Sequence, residues 1–249
     1  MQQLQGIILS RTSFKTYRAH LKTCLDEATE LIPLGKPADP SRELVIWQYS
    51  FLLARLQHSH PNPDTHEITQ HTIAIHNLRN LAQRNSDYEI LELSYLLEIR
   101  HALQFNITSV NIENLLTLAS DVSTKNPVRQ NHMQLSLMRI LLHILYLTKL
   151  GNGTAAIAKL REHHQVMDLQ VANDSYQWQS DGKFDLVILN GQHKLHFEWF
   201  TQAQSFVFGY ILSGVVNLSD HSNVKACNFL LEGNRVVDGT FSPRCHCHD

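Results

Sequence analysis

The sequence predicts an all-α chain, a tetratricopeptide-like α-solenoid of antiparallel helix pairs with a β-hairpin inserted near residues 184–197. Three observations carry this. Apolar residues recur at steps of three and four through most of the chain, the spacing that lines one face of a helix. Glycine and proline are sparse, at 10 and 7 in 249 residues, which favours long helices over short strands and turns. Helix starts near Arg42, Asp87 and Val128 are about forty residues apart, a period at which stacked helix pairs bury a continuous core. A helical bundle without repeats is the alternative arrangement.

The first element is an amphipathic helix from Thr12 to Ile32, with Phe14, Tyr17, Leu21, Leu25, Ala28 and Ile32 on one face. Pro33, Pro37 and Pro40 follow it. Residues 1–40 are therefore expected to be an N-terminal helix and Pro-rich linker, 41–238 a repeat domain, and 239–249 a disordered tail. Ser41 is placed as the cap of a helix to about Gln57, with Glu43 in its acid-favouring first turn. Pro61-Asn62-Pro63 breaks the chain, and Asp64 or Thr65 restarts it. Ser86-Asp87 is expected to cap the next helix. A weak break at Asn106-Ile107-Thr108 precedes another helix, which Asn126-Pro127 ends. The stretch from Val128 to Leu150 is so densely apolar that it should be buried on more than one side. Gly151-Asn152-Gly153 is a turn, and Thr154 opens a helix to about Leu169. The last two helices lie between Trp199 and Val237, joined by Ser219-Asp220-His221-Ser222-Asn223.

The 34-residue tetratricopeptide pattern recurs in degenerate form. Tyr210-x2-Ser213-Gly214-x2-Asn217 leads to Ala226-x3-Leu230 and Gly233. Ile140-x2-His143-Ile144-x2-Leu147 with Ala156-x3-Leu160 fits more loosely. Trp47-x2-Ser50-Phe51-x2-Ala54 with Ala74-x3-Leu78 fits if the Pro61-Asn62-Pro63 loop is an insertion. Gly214, Ala226, Leu230 and Gly233 are thus expected to be repeat-packing positions, because small residues let two helices approach. In such a pair the first helix lines a concave groove. On that alignment Phe208, Ile211 and Val215 would face the groove, with Met138, Leu141 and Leu145 along its middle and Gln48 and Leu52 toward its N-terminal part. An apolar groove suits an extended or helical partner segment.

One segment breaks the helical rhythm. Phe184 to Leu189 and Gln192 to Phe197 flank Asn190-Gly191, the preferred two-residue turn of a β-hairpin. Pairing Leu189 with Gln192 sets Leu186 opposite Leu195, Phe184 opposite Phe197, and Asp185 opposite His196. A lone hairpin is marginal in water, so its Phe184 face should pack on the helices. The other reading is a disordered polar insertion around Asn173 to Lys183.

Composition limits the chemistry. The net charge of −2 leaves no general electrostatic hold on nucleic acid, and direct nucleic-acid binding is not expected. Two cysteines isolated in helical segments, Cys24 and Cys227, and two at the C-terminal end, Cys245 and Cys247, do not make a disulfide framework and suit a reducing compartment. The Leu135–Leu150 stretch is interrupted by Arg139, His143 and Lys149 and is short for a membrane span. Sixteen histidines raise the question of metal, but neither His71 with His76 nor His163 with His164 repeats one helical face. His58, His60 and His66 read as a solvated loop, and Arg244 to Asp249 as a frayed Cys/His tail with adventitious metal affinity. No phosphate-binding glycine loop, nucleophile elbow or Cys/His nucleophile context appears. The chain is expected to be non-catalytic, without cofactor or metal.

A family resemblance follows from the C-terminal helices. Phe197-Glu198-Trp199-Phe200, then Tyr210-Ile211-Leu212-Ser213-Gly214-Val215, then Lys225-Ala226-Cys227-Asn228-Phe229-Leu230-Leu231-Glu232-Gly233 resembles the fungal cohesin loading factor. That family is the smaller, tetratricopeptide-repeat subunit of the cohesin loader complex. The paired helices from Asp87 to Asp168 look similar too. The resemblance runs from about Arg42 to about Val237, with the tail from Thr240 outside it. The chain is shorter than the family members and is expected to be a partial one. The resemblance implies a nuclear adaptor whose solenoid wraps an extended N-terminal segment of the large HEAT-repeat loader subunit. The pair would place cohesin on chromatin for sister-chromatid cohesion. The competing expectation is a generic helical regulatory or ligand-sensing domain, which would enclose an apolar pocket instead of presenting an open groove.

Overall fold

The computed structural model describes residues 40–57, 64–126, 132–172, 182–219 and 223–237. The expected helix at Thr12–Ile32, the loop with His58 and His60, and the Cys/His tail lie outside the described residues. Among the described residues, eight helices and one hairpin occur in order: α1 (Pro40–Gln57), α2 (Thr65–Asn85), α3 (Tyr88–Gln104), α4 (Ile112–Lys125), α5 (His132–Lys149), α6 (Gly153–Ala172), β1 (Lys183–Ile188), β2 (His193–Glu198), α7 (Gln202–Ser219) and α8 (Asn223–Val237). The chain forms two compact units, Met1–Gln48 and Tyr49–Asp249. Of the first, the described part is the start of α1. Helices α2 to α8 and the hairpin all belong to the second.

Helix ends carry local reasons. Asp64 Oδ1 accepts the Glu67 N–H at 2.7 Å and caps α2. Ser86 ends α2 in the left-handed region, at φ 57°. Asn111 caps α4 through the Asn114 N–H at 3.0 Å, and Asn152 bonds the Ala155 N–H at the start of α6. Thr201 and Gln204 form a reciprocal capping box, at 2.8 and 3.2 Å, that starts α7 three residues after Trp199. Two expected caps are corrected. Helix α1 begins at Pro40, which fits a first turn because it needs no N–H donor there, so Ser41 is inside the helix. Asp87 stands at the N-cap of α3 but gives its side chain no helix bond, because tertiary donors have taken it.

Neighbouring helices pack in sequence order, α2 on α3, α3 on α4, α5 on α6, α6 on α7 and α7 on α8. The alternate helices α3, α5 and α7 also touch in a row. That second row is what a solenoid adds to a string of hairpins. Its C-terminal core gathers Ile140, Leu141, Ile144 and Leu147 of α5, Ala156 and Leu160 of α6, and Leu212 and Val216 of α7. The Ile140–Leu160 tetratricopeptide match and the first helix of the Tyr210 match therefore meet in one cluster. Burial on this scale, about 25 cal/mol for each Å² of apolar surface, is the main force that orders the stack.

The hairpin has the expected register, Phe184↔Phe197, Asp185↔His196 and Leu186↔Leu195. Asn190 and Gly191 have φ of 56° and 88°, and Leu189 joins them at 52°. Phe184, Leu186, Ile188, Leu195 and Phe197 are buried, and β1 lies on α3. On the outer face Asp185 takes both His196 Nδ1, at 2.7 Å, and Lys194 Nζ, at 3.3 Å.

Candidate functional site

Helix α7 has 18 residues and not one charged side chain. It is nonetheless apolar on more sides than the fold covers. Leu212 and Val216 enter the core. Gly209 and Ser213 face α6. A Cβ at Gly209 would stand 2.5 Å from His163 Cε1, and Ser213 Oγ lies 3.3 Å from His164 Nε2. Tyr210 and Gly214 face α8, where a Cβ at Gly214 would meet Leu230 Cδ2 at 2.8 Å and one at Gly233 would meet Tyr210 Cβ at 3.1 Å. Ala226 is fully buried. These contacts leave a remaining stripe, Ile211, Val215 and Leu218, spaced by four and three. It is 42%, 40% and 48% exposed. Such a stripe on an uncharged helix is a surface waiting for a cover. Val224 and Leu231 of α8 are also exposed.

The residues assigned to a groove from sequence divide by depth. Ile211 and Val215 are exposed, and Phe208 is half-buried against Phe200 at a ring distance of 5.3 Å. Leu145 and Leu52 are half-buried, and Gln48 is exposed. Met138 and Leu141 are 1% exposed and offer nothing to a partner in this conformation. The reason is that α5 is packed by α3, α4, α6 and α7, so most of its sides are covered. Of that set, Ile211 and Val215 of α7 and Gln48 of α1 are the exposed members.

Two buried polar sites have no signature in the sequence. At the first, Asp87 accepts the Tyr49 hydroxyl at 2.7 Å and the Leu189 N–H at 2.6 Å, while Glu89 accepts the Val187 N–H at 2.7 Å. Glu92 nearby accepts Arg139 Nη1 at 2.8 Å. Burial raises the Asp87 carboxyl, and it pushes Glu92 up to about 7 despite the guanidinium. Tyr49 is raised by burial and by the Asp87 bond. At the second, His163 is 1% exposed and neither ring nitrogen has a hydrogen-bond partner. Burial first, then His164, lowers it to about 3, so the ring is neutral. A cavity of about 30 Å³ beside it is lined by His163, His164, Met167, Asp168, Phe206, Gly209 and Tyr210. That is room for water, far below the roughly 300–1,000 Å³ of an organic-ligand pocket. The adjacent His163-His164 pair was visible, but its depth was not.

Among the described residues no cluster of three or more His, Cys, Asp or Glu could hold a metal ion, and no helix is long and apolar enough to cross a membrane. A family model described as cohesin loading factor matches residues 1–246. The match takes in residues before Arg42 and beyond Thr240, both outside the resemblance read from motifs. No curated protein and no solved structure matches.

Proposed function

The chain belongs to the cohesin loading factor family, and from that premise we propose that it is a non-catalytic adaptor which grips an extended segment of the large HEAT-repeat subunit of the cohesin loader. A role in cohesin loading, and so in chromatin-associated nuclear work, comes with the family itself. The finer reading is that the repeat domain, residues 41–238, holds the N-terminal segment of the large subunit, and that the pair places cohesin on chromatin for sister-chromatid cohesion.

The observation that carries this reading is the stripe on α7. An uncharged helix with Ile211, Val215 and Leu218 open to solvent suits the apolar anchors of an extended or helical segment. Phe208 would sit at the edge of that contact. Leu52 and Leu145 are candidates for a longer track, and Gln48, in the first compact unit, is a candidate contact by itself.

Binding of the N-terminal segment of the large loader subunit, measured by calorimetry, tests both parts. The wild-type chain is expected to bind, and Ile211→Asp with Val215→Asp to weaken binding at least tenfold, about 1.4 kcal/mol. Phe208→Ala should weaken it less. Wild-type affinity in the double variant would remove α7 from the interface. No binding by folded wild-type chain would overturn the adaptor reading.

A further inference from the structure

The hairpin has one covered edge and, among the described residues, one edge that is open at Lys194 and His196. On β1, the Val187 and Leu189 N–H groups donate to Glu89 and Asp87, so they point away from β2. In an antiparallel ladder the paired and unpaired positions alternate. Even-numbered residues of β1 therefore exchange bonds with β2, and the Trp199 N–H to Gly182 C=O bond, 3.0 Å, continues that series at the hairpin base. The register sets Val187 opposite Lys194, Asp185 opposite His196 and Lys183 opposite Glu198. The backbone groups of Lys194, His196 and Glu198 thus point outward from β2. The Glu198 carbonyl accepts Gln57 Nε2 at 3.4 Å. Among the described residues the Lys194 and His196 backbone groups meet no partner. Their side chains are 56% and 69% exposed.

We infer that this edge pairs with the same edge of a second copy of the chain, antiparallel and centred on His196. An open edge is a template for another strand. Lysine on an edge ordinarily discourages this, and in a parallel in-register pairing Lys194 would meet Lys194 and Glu198 would meet Glu198. The antiparallel arrangement about His196 reverses that. Lys194 of one copy then faces Glu198 of the other, twice, and His196 faces His196 at the two-fold axis. All three outward positions fall on hydrogen-bonded pairs, since they are two residues apart. Leu195 would stand opposite Phe197 on the inner face. The contact is isologous, as a two-fold dimer requires, and it turns two two-stranded hairpins into one four-stranded sheet. With so short a ladder the dimer is weak and concentration-dependent.

Sedimentation velocity of the full chain, from low micromolar to several hundred micromolar, tests this. A monomer–dimer equilibrium is expected. His196→Pro removes an outward N–H and leaves the bonds within the hairpin, since proline is tolerated on an edge. It should raise the dimer Kd at least tenfold with the circular dichroism spectrum unchanged. Lys194→Glu should weaken dimerisation about tenfold, and Lys194→Glu with Glu198→Lys should restore it to within about threefold of wild type. A chain that stays monomeric throughout overturns the inference, as does a dimer indifferent to His196→Pro or a charge reversal without rescue. Amides of β2 that gain exchange protection only on adding the loader-subunit segment would also overturn it and assign the edge to that segment.

Discussion

Polar side chains are buried at the hairpin junction and at the α6–α7 contact, and the two places do so in opposite ways. At the hairpin junction, Asp87 and Glu89 are 3% exposed and are bonded to Tyr49, Leu189 and Val187. At the α6–α7 contact, His163 is 1% exposed and bonded to nothing. The first site uses polarity, because two carboxylates cap the edge of β1 where no strand does. The second uses only shape, because a neutral ring fills the hollow over Gly209. Burial costs both sites, and only the first recovers that cost through charge-assisted bonds. The lesson is that equal burial says nothing of what a side chain contributes.

Removing either role separates the two sites. Asp87→Ala strands the Tyr49 hydroxyl and the Leu189 N–H. It should cost about 3 kcal/mol in denaturant unfolding, with loss of exchange protection in β1. Gly209→Ala drives a methyl into the His163 ring and should cost about 2 kcal/mol. Adding His163→Ala should recover at least half of that in a double-mutant cycle. If the two changes add without coupling, the shape account of His163 fails.

Acid should tell the sites apart next. His163 has a folded value near 3, below the ordinary 6.5, so its contribution is full above pH 6.5 and is lost as the pH falls toward 3. His71, His101, His143 and His164 are lowered as well, also with burial as the leading cause, and act in the same direction. Glu92 runs the other way. Raised from 4.5 to about 7, it favours the folded state fully below pH 4.5 and loses that contribution as the pH rises to 7. Asp87, whose carboxyl burial also raises, acts in the same sense as Glu92, and the five histidines outnumber the two, so Tm should fall between pH 7 and pH 5. Glu92→Gln should steepen the fall, and His163→Leu should flatten it.

The smallest effects sharpen the same contrast. His163→Leu replaces an unbonded ring by an apolar group and should shift stability by less than about 1 kcal/mol in either direction. A loss as large as that of Asp87→Ala would mean that the ring has a bonding role. Gly214→Ala meets Cδ2 and Cγ of Leu230, a side chain that is 41% exposed and can swing away. The helix-propensity gain of alanine, about 1 kcal/mol, should offset the contact and leave Tm nearly unchanged.

Much of this architecture was legible along the chain. Asn190-Gly191 marked the hairpin and its register, although Leu189 joins them at positive φ, gives its N–H to Asp87, and leaves the ladder to close at Ile188↔His193 instead of the expected Leu189–Gln192 pair. Gly151-Asn152-Gly153 marked the α5–α6 turn, and the density of apolar residues in α5 announced burial on several sides. That same density argued against Met138 and Leu141 as groove positions, since a helix covered on several sides cannot also display its apolar residues. The Thr201 capping box was present in the sequence as Thr-x-x-Gln, although the apolar run made the helix look as if it began near Trp199. Asp87 looked like a cap for the same local reason, and distant donors overrode it.

The sequence by itself therefore determined the helices, their pairing and the hairpin, because periodicity, turn chemistry and capping act within a few residues of one another. Only the tertiary structure decided which apolar stripe stays open on α7, which histidine is sealed, and which strand edge is capped. Each of those depends on residues far apart in the chain, 102 positions in the case of Asp87 and Leu189. No local pattern encodes such a distance; it is set when the helices stack and their remaining surfaces find, or fail to find, a neighbour.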